Sequence, residues 1–172
     1  MELCWQRMPR ESDWQARLNA IDWPRFHTIY GAATKTPETI ASLHSPDDET
    51  AVSAARELHA ELCHKQVQIA SAALPAFPFL VEVLPSASQR VKIEILDTLV
   101  DFAITSDRNR MARFASALGK RRTGSPGWVD ELRSELARAL PQIAAYVTDE
   151  DPSISECAKM FADEMRKGTP PA

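Results

Sequence analysis

Residues 78–102 read Pro78-Phe-Leu-Val-Glu-Val-Leu84, then Pro85-Ser-Ala-Ser-Gln89, then Arg90-Val-Lys-Ile-Glu-Ile-Leu-Asp-Thr-Leu-Val-Asp-Phe102. Val91, Ile95, Leu99 and Phe102 recur at three- and four-residue intervals, so even the β-branched residues follow a helical period. The proline and serines between the two runs mark a break, and Ser86 with Gln89 has capping-box spacing. This stretch predicts a helix ending near 84, a tight turn and an amphipathic helix over 87–104.

The same grammar recurs outward from it. Pro37-Glu-Thr-Ile-Ala-Ser-Leu43 precedes a helix with Val52, Ala55 and Leu58, and Pro141-Gln-Ile-Ala-Ala-Tyr-Val147 precedes one with Ile154, Ala158 and Phe161. Each unit has proline six residues before a large apolar residue, an acidic or Ser/Pro turn, and a second amphipathic helix. The first two units start 41 residues apart, within the range of paired-helix repeats. The next interval is 63, which leaves room for an inserted helix and loop.

Asp22-Trp23-Pro24, Thr36-Pro37, Ser45-Pro46 and Asp151-Pro152 each offer an N-cap followed by proline. Ser45 with Asp48 is a weaker capping box. Helices are therefore expected at 12–21, 24–30, 37–43, 46–63, 70–84, 87–104, 107–118, 127–147 and 152–166, with no strand. The fold class is all-α: a single domain over 1–172, with capping helices in 1–35, two repeats in 36–104, a basic insert in 105–127, a C-terminal repeat in 128–166 and a disordered tail at 167–172.

Composition narrows the function classes. Hydrophobic residues make up 44% and charged residues 26% of the 172, which excludes wholesale disorder. Only five residues are glycine, against a turn-rich sandwich or barrel. The formal charge of −4 disfavours a general affinity for phosphate backbones. Cys4, Cys63 and Cys157 are odd in number and widely spaced, and no apolar leader opens the chain, so a cytoplasmic location is expected. The longest apolar stretch, 69–84, contains Pro75, Pro78 and Glu82 and is too short and broken to span a bilayer.

Several motifs together resemble a known architecture. Paired helices at this spacing resemble HEAT-repeat proteins, which stack antiparallel helix pairs into a curved solenoid. Asp22-Trp23, Tyr30-Gly31-Ala32-Ala33, Pro37, Ser45-Pro46-Asp47 and Pro78-Phe79-Leu80 are similar to the pattern of a group of small bacterial HEAT-like proteins. That pattern also carries His-Gln-Gly where this chain has His64-Lys65-Gln66, so the glycine is missing. The resemblance covers 22–104, and 139–166 as a generic repeat; 1–21 and 105–138 match nothing. It implies an interaction module and, for some members, an immunity partner of a secreted toxin.

Charge patterning supplies the candidate site. Glu57 and Glu61 lie four apart on the second helix of the first repeat. Glu94, Asp97 and Asp101 form a stripe on the next, opposite Ile95, Leu99 and Phe102. Residues 46–104 hold nine acids against four bases. In HEAT-like solenoids second helices line the concave surface, so Glu57, Glu61, Glu94, Asp97 and Asp101 are expected side by side in one acidic partner-binding groove. Their crowding costs stability unless a basic partner relieves it; the plainer reading is the charged face of any amphipathic helix.

Other motifs carry less. His59-Ala-Glu61-Leu-Cys63-His64 gathers metal-capable residues, with His59 and Cys63 on one helix face. The metalloprotease spacing is absent, so Cys63 is expected to pack as a small hydrophobe and His64 to cap the helix, with no metal or cofactor. The insert carries Arg108, Arg110, Arg113, Lys120, Arg121 and Arg122 against Asp107, with Phe114 at a core-like position. Trp14, with Leu18 and Ile21, is expected to cap the open end of the stack, and Trp5, if exposed, is a possible interface anchor. No nucleophile elbow, phosphate loop or paired-carboxylate signature appears, so the chain is expected not to be an enzyme. The expected function is a non-enzymatic protein-binding module, most concretely an immunity protein that inhibits a basic toxin domain through the acidic groove. The alternatives are a general HEAT-type adaptor and a HEAT-like nucleic-acid-binding or base-processing enzyme using 108–122.

Overall fold

A computed structural model describes residues 11–64, 66–118 and 126–167. The expectations placed on Cys4, Trp5, Lys120, Arg121, Arg122 and the 168–172 tail lie outside the described residues. Eight α-helices account for most of the rest: α1 (Glu11–Asn19), α2 (Thr36–Ser42), α3 (Asp48–Leu62), α4 (Ala73–Val83), α5 (Gln89–Thr105), α6 (Arg108–Ala117), α7 (Gly127–Ala144) and α8 (Pro152–Lys167). Among the described residues no helix is long and apolar enough to cross a membrane.

Where the caps fall explains the boundaries. Asp47 starts α3 by accepting from Thr50 N at 2.9 Å, while Ser45 Oγ accepts from Asp47 N. Ser88 starts α5 by accepting from Val91 N at 3.3 Å. The caps expected at Ser45 and Ser86 thus move two residues on. Asp107 caps α6 through Asn109 N and Arg110 N, and Asp151 starts α8 through Ser153 N and Ile154 N.

Two short antiparallel ladders replace expected helix or loop. Trp23–Arg25 is one 3-10 turn, after which β1 (His27–Thr28) pairs with β2 (Gly31–Ala32). Gly31 sits at φ +141°, a conformation that side-chain-bearing residues rarely adopt. Thr28 Oγ1 accepts from Tyr30 N and donates to Gly31 O, so the expected helix at 24–30 gives way to a hairpin. The second ladder, β3 (Cys63–His64) with β4 (Gln68–Ile69), links α3 to α4. Gln66 in its loop has φ 55°, the left-handed region that favours glycine, and it stands where the resembling pattern carries glycine. His64 is exposed in this hairpin; Cys63 N instead closes α3 on His59 O.

The helices pack in order: α3 against α5, α5 against α8, α2 against α3 and α4, α4 against α7, and α7 against α8. The centre is α5. Ile95, Leu99 and Phe102 are buried as expected, and every position from Thr98 to Thr105 is buried. Its C-terminal half has α3, the second hairpin, α6 and α8 around it, so no face there is left to solvent. Each large apolar side chain so buried contributes about 1.5–3 kcal/mol.

Polar devices close the remaining ends. Arg133 of α7 donates to Ala103 O of α5 and to Glu164 O and Met165 O of α8, tying the C-terminal ends of both helices to α7. Trp14 is buried, edge-on to Phe79 and His44, in the same core cluster as Leu18. Phe114 departs from expectation. It is 42% exposed, and α6 buries no residue. Ion pairs Arg108–Asp130 and Arg110–Glu164 hold α6 to α7 and α8 where apolar burial was expected.

Candidate functional site

Helical geometry sorts the α3 side chains into two groups. Arg56 and His59, with Cys63 just past the helix end, project towards α5; Glu57 and Glu61 project more than a quarter-turn away, and with Ser53 border the α2 side. The five expected partner-binding carboxylates follow this division and do not share one groove.

On the α5 side the acids are paired within the fold. Arg56 Nε donates to Glu94 Oε1 at 2.7 Å. His59 Nε2 lies 3.1 Å from Asp101 Oδ2, and its Nδ1 lies 3.5 Å from Asp97 Oδ2. Nearer the helix starts, Arg90 of α5 pairs with Asp48 and Glu49 of α3, and Ser88 Oγ donates to Asp48. The like-charge crowding expected of α5 is therefore relieved from α3 by Arg56 and, when its imidazole is protonated, by His59, and the interface is a polar seam.

Asp101 is the clear correction. It was expected on an exposed stripe, but its side chain is only 7% exposed, against 54% for Asp97 one turn earlier. The cause is the enclosure of the last two turns of α5. A buried carboxylate needs a compensating partner, and His59 supplies it. The Asp101 contact, then the charges of Asp97 and Glu94, raise the His59 pKa against the opposing effect of burial. Burial, and then the neighbouring acids, raise that of Asp97, with His59 opposing.

Cys63 completes this cluster. Its Sγ donates to His59 O at 3.3 Å, and burial pushes the thiol far above its ordinary range, helped by Asp101. A thiol held protonated in this way is the opposite of an activated nucleophile. One ligand atom each from His59, Cys63 and Asp101 nevertheless lie within 4.8 Å of one another. The sequence showed the His59/Cys63 pair. The third member is Asp101, 38 residues on from Cys63, and not the adjacent His64.

On the α2 side the acids stay open. An open depression of about 540 Å³ between α2 and α3 is lined by Glu38, Asp47, Glu49 and Glu57, with Lys35 the one cation at its edge. Glu49 is drawn off by Arg90, and Asp47 by its cap bond to Thr50, which holds its pKa below the ordinary value. Glu38 and Glu57 make no ion pair among the described residues. Glu61 borders this face, accepting from Thr36 Oγ1 at 3.4 Å; burial and then Glu57 raise its pKa. Sequence reasoning found Glu57 and Glu61 but missed Glu38, which lies on α2, and Asp47 and Glu49, which sit in the cap and first turn of α3. Comparison with family models, with curated proteins and with solved structures finds no match for this chain.

Proposed function

We propose that this chain is a non-enzymatic protein-binding module built as a HEAT-like stack, and most concretely an immunity-type protein that covers a basic toxin domain with its α2–α3 face. The order of helix contacts, α3 to α5 to α8, is what such a stack requires and supports the architectural part. The observation that carries the functional part is the depression itself: four carboxylates around one lysine, two of them without an ionic partner among the described residues. Carboxylates left unpaired on a shaped surface favour association with a cationic one and speed the encounter. The mechanism is steric: the complex blocks access to the toxin's active site.

The basic insert gives less support to a nucleic-acid reading. Arg108 and Arg110 are committed to Asp130 and Glu164, and an arginine neutralised in the fold releases few counterions from a phosphate backbone. The test is binding of the purified chain to the products of adjacent reading frames and, separately, to duplex DNA. Capture of a basic protein with an association rate that falls steeply with salt supports the proposal, because exposed charges are screened over about 8 Å at physiological ionic strength. Binding to DNA with no protein captured overturns it.

A further inference from the structure

The group formed by His59, Cys63 and Asp101 has more order than a buried polar pair requires. His59 lies in the last turn of α3, Cys63 follows that helix as the first residue of β3, and Asp101 meets them from α5. Their ligand atoms lie within 4.8 Å of one another, with His59 Nε2 and Asp101 Oδ2 at 3.1 Å. Ligands around a tetrahedral zinc sit about 3.3–3.6 Å from each other, given bonds of about 2.0–2.3 Å. Shifts of an ångström or so in side chains would close the set.

An independent observation concerns the other imidazole nitrogen. Asp97 Oδ2 lies 3.5 Å from His59 Nδ1, the place of the outer carboxylate that orients metal-bound histidines. Access also fits. Cys63 and Asp101 are buried, while the His59 side chain is 26% exposed. Three protein ligands would close one side and leave a fourth position towards solvent.

We propose that His59 Nε2, Cys63 Sγ and Asp101 form a binding site for one divalent, thiolate-accepting cation of the zinc class, with Asp97 as a positioning residue on His59. A nitrogen, sulfur and carboxylate set selects such a metal over magnesium or calcium. Binding releases the Cys63 thiol proton to solvent, and the His59 proton where the imidazole is charged. Burial disfavours a bare thiolate at Cys63, but the cation reverses that balance, since a coordinated thiol loses its proton outright. The bound ion ties the end of α3 to α5, whatever the α2–α3 face binds.

The test uses the full chain, stripped with a chelator and titrated with zinc chloride and, in parallel, cobalt chloride. One equivalent should bind, the cobalt form should show the near-ultraviolet thiolate-to-metal absorption, and zinc should raise the melting temperature. Cys63→Ala should abolish the absorption and the thermal shift. Asp97→Asn, a change at an exposed carboxylate that leaves the core untouched, should keep the absorption and weaken zinc binding roughly 10–100-fold. The double variant Cys4→Ser with Cys157→Ser should behave as wild type. Absence of the absorption in the wild type, its survival in Cys63→Ala, or its loss in the Cys4/Cys157 variant overturns the proposal, as does unaltered affinity in Asp97→Asn.

Discussion

Helix α3 has a carboxylate-rich neighbourhood on both sides, and the two sides come to opposite ends. Towards α5, Glu94, Asp97 and Asp101 meet Arg56 and His59, and Asp48 and Glu49 meet Arg90. Towards α2, Glu38 and Glu57 form no ion pair among the described residues, with Lys35 the one cation at the edge of their depression. The residue types and helical spacings are alike. The difference lies in which helix stands opposite and what it offers. A stripe of acids thus describes a helix face, while its partner helix decides whether that face becomes a seam or a binding surface.

The sharpest way to break this contrast is at the buried end of the seam. Asp101→Lys replaces the buried carboxylate beside His59 with a cation. Breaking a buried pair typically costs about 3–5 kcal/mol, so urea unfolding should show a loss of at least that order, or no folded protein. A loss below about 0.5 kcal/mol, the range of ordinary surface changes, would return Asp101 to the exposed stripe. Leu99→Ala, two residues earlier on the same helix, should cost about 2–5 kcal/mol through lost burial and the cavity left behind. Its circular dichroism should remain helical. A cost like that of Asp97→Ala, expected below about 0.5 kcal/mol, would mean that α5 faces the other way.

The seam should also respond to pH. Asp101, Asp97 and Glu94 of α5 face His59 and raise its pKa in the folded protein, with burial opposing. The folded state then holds the proton more tightly than the unfolded chain, whose histidine titrates near about 6.5. The stabilisation is complete below that value and is lost as pH rises through the higher folded one. In metal-free protein, unfolding free energy should fall with rising pH across this window, and His59→Gln should flatten the profile. A wild-type stability that climbs over the same window, without metal, would contradict the clamp.

Much of the fold could be read in advance because it rests on local signals. Proline, serine and aspartate at helix starts, and the Val91–Ile95–Leu99–Phe102 period, place α5 and its neighbours within a few residues of the structure. The 24–30 segment was misread because Gly31 and the Thr28 hydroxyl, small local features, outweigh helical period there. The site was legible only in part. Facing along α5 was right for Asp97 and wrong for Asp101, since enclosure by α6, α8 and the second hairpin leaves no trace in periodicity. A signal for the seam did exist. Its pairs are separated by 40 for Asp48–Ser88, 41 for Glu49–Arg90, 38 for Arg56–Glu94 and 42 for His59–Asp101. These separations lie close to the 41-residue interval between the two proline-led units. Laying one repeat on the next would have set the cations against the acids.

The smallest change in stability carries the most direct test. Glu38→Lys with Glu57→Lys alters two side chains that nothing in the described fold depends on, so the unfolding free energy should move by less than about 0.5 kcal/mol. The decisive quantity is the dissociation constant of this variant for the basic product of an adjacent reading frame, set beside that of Glu94→Gln with Asp97→Asn. If the α2–α3 face is the binding surface and the α3–α5 side a structural seam, the first variant binds at least ten-fold more weakly and the second binds as wild type. An unchanged constant for Glu38→Lys/Glu57→Lys, with binding lost in Glu94→Gln/Asp97→Asn, would contradict the account.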